Sequence, residues 1–278
     1  MTVLTLAWGA LNGCASLPAE SARINGADMH YTVLGSGTPV VVFEAGLGDG
    51  RSSWRGIARA LSEDTTVVIY DRPGYSRVPF SDTRFDSDRD GRSGAEIATA
   101  LHTLLDGAGM SGPYILAGHS IGGIYVQSFA RLYPEDTAAL VLIDGRPPRF
   151  TRHCIEENAG MCTIPTALKI LMDTHVRAEI DGMDQTLIDL QNPADLGPLP
   201  MVVLAATRPG GGASERFQQL WLQDQSTFAA QALNARYIEV EGAGHYIHRQ
   251  RPDVVLTELR RVISDLRETR SLPENDTD

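Results

Sequence analysis

A glycine-flanked serine, in the run Gly118-His119-Ser120-Ile121-Gly122, leaves few architectures open to this chain. The short apolar stretch Tyr114-Ile115-Leu116-Ala117 precedes it, and helical composition follows from Ile124 to Tyr133. A serine between a buried strand and a helix sits on a tight turn, and the flanking glycines let the two elements approach closely. Its hydroxyl then stands clear of the sheet at a helix N-terminus, where backbone N–H groups favour a developing oxyanion. In that context Ser120 reads as a nucleophile, against the plainer reading of a glycine-rich turn.

The rest of the chain repeats the strand–helix rhythm. Pro39 to Glu44, Thr65 to Tyr70, Ala138 to Ile143, Met201 to Ala206 and Tyr237 to Val240 are short apolar strands. Ser52 to Ser62, Gly94 to Ala108, Ser214 to Leu233 and Val254 to Leu266 read as helices, and Asn25-Gly26 marks a hairpin within Ile24 to Leu34. Such alternation predicts an α/β fold, a mostly parallel central sheet with helices on both faces. A length of 278 residues suits one such domain with an insertion. Residues 1–20 read as a signal-like leader, 21–145 and 199–270 as the core, and 271–278 as a polar tail. The stretch 146–198 contains no buried strand. It is expected to form a small, mobile helical cap, with a helix over Thr166 to Ala178 and a pocket lining of Ile164, Leu168, Ile170, Leu171 and Met172. Ser76 to Arg92 is polar and reads as a surface loop.

Serine at its ordinary pKa is a poor nucleophile and needs an adjacent base. His245, after Glu241-Gly242-Ala243-Gly244 at the end of a strand, falls at the same sheet edge as Ser120. His248 is the rival, with a surface or supporting place as the plainer reading. His119 adjoins the serine, but successive residues at such a turn point in different directions. The acid that orients the base is expected after Met201 to Ala206, yet Thr207-Arg208-Pro209-Gly210 carries no carboxylate. Asp144 ends the strand before it on the same edge and is favoured; Glu215 and Asp224, on the next helix, are the alternatives. For the oxyanion, the N–H of Ile121 and that of Leu47, after Gly46, are the expected donors.

The balance of 24 basic and 35 acidic residues, a net charge of -11, provides no electrostatic footprint for nucleic acid or an anionic membrane surface. No cofactor or metal is expected. Val3 to Leu11 is apolar apart from Thr5 and leads to Leu11-Asn12-Gly13-Cys14, a pattern like a bacterial lipoprotein signal, although no Lys or Arg precedes it. Export is therefore expected, periplasmic or tethered to a membrane through Cys14; an unmodified leader would leave a cytoplasmic enzyme. Cys154 and Cys162 remain as a pair that could close a short disulfide loop in an oxidising compartment, or as two separate thiols.

Over roughly residues 24 to 268 the sequence resembles the α/β-hydrolase family. Glu44-Ala45-Gly46-Leu47-Gly48 is similar to that family's oxyanion turn. Tyr70-Asp71-Arg72-Pro73-Gly74-Tyr75-Ser76 is similar to its D-x-x-G-x-G-x-S loop but departs at the end, and Gly118–Gly122 and Gly244-His245 supply nucleophile and base in its chain order. The resemblance implies a serine hydrolase acting on small-molecule carboxylic esters through an acyl-enzyme. An amidase or peptidase, or an inactive binding member, are the alternatives. Members with an aspartate nucleophile are disfavoured by Ser120, and some members carry the acid one strand early, as Asp144 would be.

Overall fold

The computed structural model describes residues 19–76, 91–209 and 213–271. Cys14 and most of the leader, most of the polar stretch 76–92, and the tail from 272 onward lie outside the described residues. The hairpin forms as β1 (Glu20–Ile24) and β2 (Ala27–Leu34), with Ile24 opposite Ala27. Its turn residues Asn25 and Gly26 both have positive φ, 46° and 83°. This is the twist that a two-residue hairpin loop requires.

Six further strands complete one sheet: β3 (Val41–Glu44), β4 (Val67–Tyr70), β5 (Tyr114–His119), β6 (Thr137–Ile143), β7 (Met201–Ala206) and β8 (Ala235–Val240). The order is β1-β2-β4-β3-β5-β6-β7-β8, antiparallel from β1 through β4 and parallel from there to β8. The central strands are buried on both faces, which is why they read as unbroken apolar runs. Alternate residues nonetheless serve different cores, since successive side chains leave a strand on opposite sides. Leu116, Leu140 and Leu142 join Leu101, Leu104, Phe129 and Phe228 on one face. Ile115, Val141 and Ile143 join Trp54, Ile57, Leu259 and Ile263 on the other.

Those partners define the helical layers. On the second face lie α1 (Arg55–Leu61) and, at the chain's end, α9 (Pro252–Ser271). On the first lie α2 (Gly94–Gly107), α3 (Gly122–Leu132) and α7 (Glu215–Gln231). Ser93 and Glu96 form a reciprocal capping box that starts α2.

Between β6 and β7 the chain forms α4 (Phe150–Glu156), α5 (Thr166–Lys169) and α6 (Thr174–Asp189). The helix expected over Thr166 to Ala178 breaks after α5 and resumes at Thr174, running on to Asp189. The stretch around Cys154 is partly helical. Cys154 lies on α4, buried with Phe150, Leu220 and Trp221, and is bonded to Cys162. The helix was hard to see because its inward face is only Phe150 and Cys154, four residues apart. Leu168, Ile170 and Leu171, expected to line a pocket, are instead exposed. No helix among the described residues is long and apolar enough to cross a membrane.

Candidate active site

Ser120 follows β5 with φ 56°, the left-handed region that a non-glycine residue adopts only when its surroundings enforce it. The glycines around it leave room for the tight turn. A Cβ on Gly118 would lie 2.4 Å from the Gly122 carbonyl oxygen, and one on Gly122 would lie 2.6 Å from the Glu44 carbonyl oxygen. Side chains at either place would push α3 away from β5 and β3.

His245 stands on the loop between β8 and the short helix α8 (Ile247–Gln250). Its Nε2 is 3.0 Å from Ser120 Oγ and its Nδ1 is 2.6 Å from Asp144 Oδ2. The structure thus brings together the favoured three of the sequence reading. Asp144 leaves the end of β6 with φ 47° and is buried. Its Oδ1 accepts from Trp221 Nε1 at 2.9 Å, Gln225 Nε2 at 3.0 Å and the Ala206 N–H at 3.0 Å. The two alternatives lie elsewhere: Asp224 faces His153 Nδ1 at 2.8 Å, and Glu215 opens the first turn of α7. Trp221 and Gln225 were not foreseen. Their spacing of four on a helix places them on one face, but nothing local says that the face meets Asp144.

Two imidazoles surround the base. His119 Nε2–H donates to the His245 carbonyl oxygen at 2.9 Å. His119 therefore positions the loop of the base. His248 is buried, so of its two plainer places the supporting one holds and the surface one does not. Its ring lies 4.3 Å from that of Trp54 and 4.6 Å from that of His119. Burial lowers the pKa of His119 well below the ordinary value and that of His248 to about 3.

The loop after β3 passes directly under the nucleophile: a Cβ on Gly46 would meet His119 Nδ1 at 2.7 Å and Ser120 Cβ at 3.4 Å. Leu47 is the next residue, and Ile121 heads α3. Arg72 braces this loop. Its Nη1 donates to the Ala45 carbonyl at 2.6 Å and its Nη2 to the Gly46 carbonyl at 3.0 Å. Glu44 and Glu179 pair with the same guanidinium at 2.6 and 2.7 Å. Tyr75 donates to Glu179 at 2.8 Å and accepts from the Gly48 N–H at 3.2 Å. Burial pushes the Glu44 carboxyl up, against the pull of Arg72. Burial also opposes the Arg72 charge, but Glu179, Tyr75 and Glu44 outweigh it and hold that pKa well above its usual value. The Asp71-Arg72 pair stands in the loop motif read from the sequence; Glu179 had no local signal at all.

A cavity of about 460 Å³ opens beside Ser120 and His245, walled by Arg146, Phe217, Trp221 and Tyr246. Among the described residues no cluster of three or more His, Cys, Asp or Glu could hold a metal ion.

Residues 41–258 match the family model of the alpha/beta hydrolase family. The chain belongs to that family. This α/β hydrolase is 36% identical over 134 residues to a putative carbamate hydrolase, RutD, of Azorhizobium caulinodans; the match spans 47% of the chain and 46% of that protein, about half its length. It is 27% identical to the uncharacterized protein YqjL of Bacillus subtilis, over 80% of this chain and 82% of that one. Among solved structures it resembles a thermophilic esterase from Thermogutta terrifontis, with TM-score 0.64, 19% identity, and 88% and 99% of the two chains covered. It also resembles the epoxide hydrolase VrEH1 of Vigna radiata, with TM-score 0.68, 15% identity, and 93% and 100% covered. At such identities these two structures bear on the fold of this α/β hydrolase alone.

Proposed function

We propose that this α/β hydrolase is a serine hydrolase that cleaves carboxylic esters through an acyl-enzyme on Ser120. The observation that carries the reading is the continuous line from Ser120 Oγ through His245 to Asp144, with contacts of 3.0 and 2.6 Å. In it, Ser120 Oγ attacks the ester carbonyl carbon while His245 Nε2 takes the hydroxyl proton. The carbonyl oxygen becomes an oxyanion, for which the N–H groups of Leu47 and Ile121 are the donors. Collapse breaks the ester C–O bond, and the imidazolium returns its proton to the leaving alkoxide. Water then repeats the sequence on the acyl-enzyme and releases the acid. Asp144 holds Nδ1–H and stabilises the imidazolium, and its three other donors fix its orientation.

The likeness to a putative carbamate hydrolase supports a second reading, in which the bond cleaved is that of a carbamate. A panel of 4-nitrophenyl esters, with a matched carbamate and anilide, separates ester from carbamate and amide cleavage. Ser120→Ala is expected to abolish turnover and labelling by a fluorophosphonate. A wild-type protein that neither labels nor turns over any of these would be a binding member instead, and the reading fails.

The reading extends to the compartment: export, with lipid on Cys14. The bond between Cys154 and Cys162 supports an oxidising location. Mass spectrometry of protein from its native host tests it. An intact leader with free thiols at both positions overturns it.

A further inference from the structure

In a chain of net charge -11, the cavity beside Ser120 is lined by two guanidiniums, Arg146 and Arg208. Among the described residues the one carboxylate in its wall is Asp144, and that group is engaged at both oxygens by His245, Trp221, Gln225 and the Ala206 N–H. Arg146 stands two residues beyond Asp144, and its own N–H donates to the Ser120 carbonyl at 3.0 Å. Its backbone is therefore fixed to the nucleophile turn.

The Arg146 side chain is unusually poor in partners. Nη2 donates to Thr151 Oγ1 at 2.6 Å, and the guanidinium lies 5.7 Å from the centre of the Phe150 ring. Nε is buried with no hydrogen-bond partner. Among the described residues no carboxylate comes within ion-pair distance of it, and Asp184 acts on it only from further away. Buried Arg72 shows the contrast, held by both Glu44 and Glu179. Burial lowers the pKa of Arg146 to about 10, so it remains charged at neutral pH. A half-buried guanidinium whose Nε is shut off from solvent and has no anion beside it is costly, and its planar fork of donors matches a carboxylate.

We propose that the ester this cavity accepts carries a free carboxylate, which docks on Arg146, with Arg208 as a second cation nearby. The inference rests on the ester reading for the word ester, and on Arg146 alone for the carboxylate. The walls favour a carboxylate on an organic chain over a phosphate: Phe217 and Trp221 offer apolar surface, and the half-buried Arg146 carries a single charge. Arg208, exposed and bonded to Gln250 Oε1 at 3.0 Å, adds attraction without desolvation.

Binding tests the carboxylate without turnover. Hexanoate, hexan-1-ol and inorganic phosphate are titrated calorimetrically into the full chain and into Ser120→Ala. Hexanoate is expected to bind at least tenfold more tightly than either other probe, and Arg146→Gln to remove about tenfold of that affinity, with part of it kept by Arg146→Lys. The kinetic counterpart compares mono-4-nitrophenyl glutarate with 4-nitrophenyl pentanoate, whose ratio of kcat/KM should fall about tenfold in Arg146→Gln. Should that variant not fold, the wild-type preference for hexanoate over hexan-1-ol, and its loss at 0.5 M salt, decide instead. Equal binding of hexanoate and hexan-1-ol overturns the proposal, as does phosphate binding as tightly as hexanoate or indifference to Arg146. Failure of fluorophosphonate labelling would sink the ester reading while leaving the binding result intact.

Discussion

Glu179 sets both carboxylate oxygens against Arg72, with Oε1 2.7 Å from Nε and Oε2 3.0 Å from Nη2. The pair joins α6, in the insertion, to the loop after β4. Because the same guanidinium holds the carbonyls of Ala45 and Gly46, it also joins the insertion to the turn beneath Ser120. A charge pair buried this completely resists separation, since each partner alone would be a desolvated ion. The pair thus clamps the α6 half of the insertion, the stretch expected as a cap, onto the loop after β4.

Glu179→Ala should therefore destabilise the protein by about 3 kcal/mol, the scale expected when one partner of a buried pair is removed. It should also lower kcat/KM on a 4-nitrophenyl ester, because the Leu47 turn loses its brace. Urea unfolding and steady-state kinetics read the two effects. Stability within about 0.5 kcal/mol of wild type, the range of an ordinary surface change, would refute the clamp.

Asp144→Asn should lower kcat by roughly 10⁴, since an amide cannot hold the imidazole in the tautomer that accepts the serine proton. Asp224→Asn and Glu215→Gln should stay within a few-fold of wild type. Trp221→Phe, which removes one donor from Oδ1, should fall between them. A crippled Asp224→Asn with an active Asp144→Asn would reverse the assignment of the acid.

The two buried imidazoles predict acid sensitivity. His119 and His248 have folded pKa values below their unfolded value of about 6.5, that of His248 at about 3. From about pH 6.5 down toward 3 the unfolded chain takes up protons that the folded one refuses. Stability is then complete above that window and falls as pH drops, by up to about 1.4 kcal/mol per pH unit for each histidine. Buried carboxyls with raised pKa, Glu44 and Asp71, act in the opposite sense, so the difference between proteins is the useful quantity. His248→Phe should unfold in urea with a shallower loss between pH 7 and pH 5 than wild type. Parallel curves would show that His248 does not titrate as its burial requires.

Reducing the bond between Cys154 and Cys162 should cost about 2 to 3 kcal/mol, the entropy scale for a short closed loop. The loss should appear as a lower Tm in dithiothreitol. Hydrogen exchange should accelerate first in α4, whose Cys154 packs against Trp221. An unchanged Tm would mean the link constrains nothing in the unfolded chain.

The layout of the sheet and the place of the nucleophile were legible in the residues themselves. Unbroken apolar runs, Asn25-Gly26 and the glycines around Ser120 act over a few residues, so their meaning survives without the fold. His245 and Asp144 could be ranked because parallel strands deliver their carboxyl ends to one edge. What the tertiary structure alone decided lies between residues far apart in the chain. Trp221 meets Asp144 across 77 residues and Glu179 meets Arg72 across 107, and neither helix carries a periodic signal for a partner that distant. The exposure of Leu168, Ile170 and Leu171 was hidden for the same reason. An apolar side chain is buried only if another element covers it, and which element does so is a property of packing, not of local sequence.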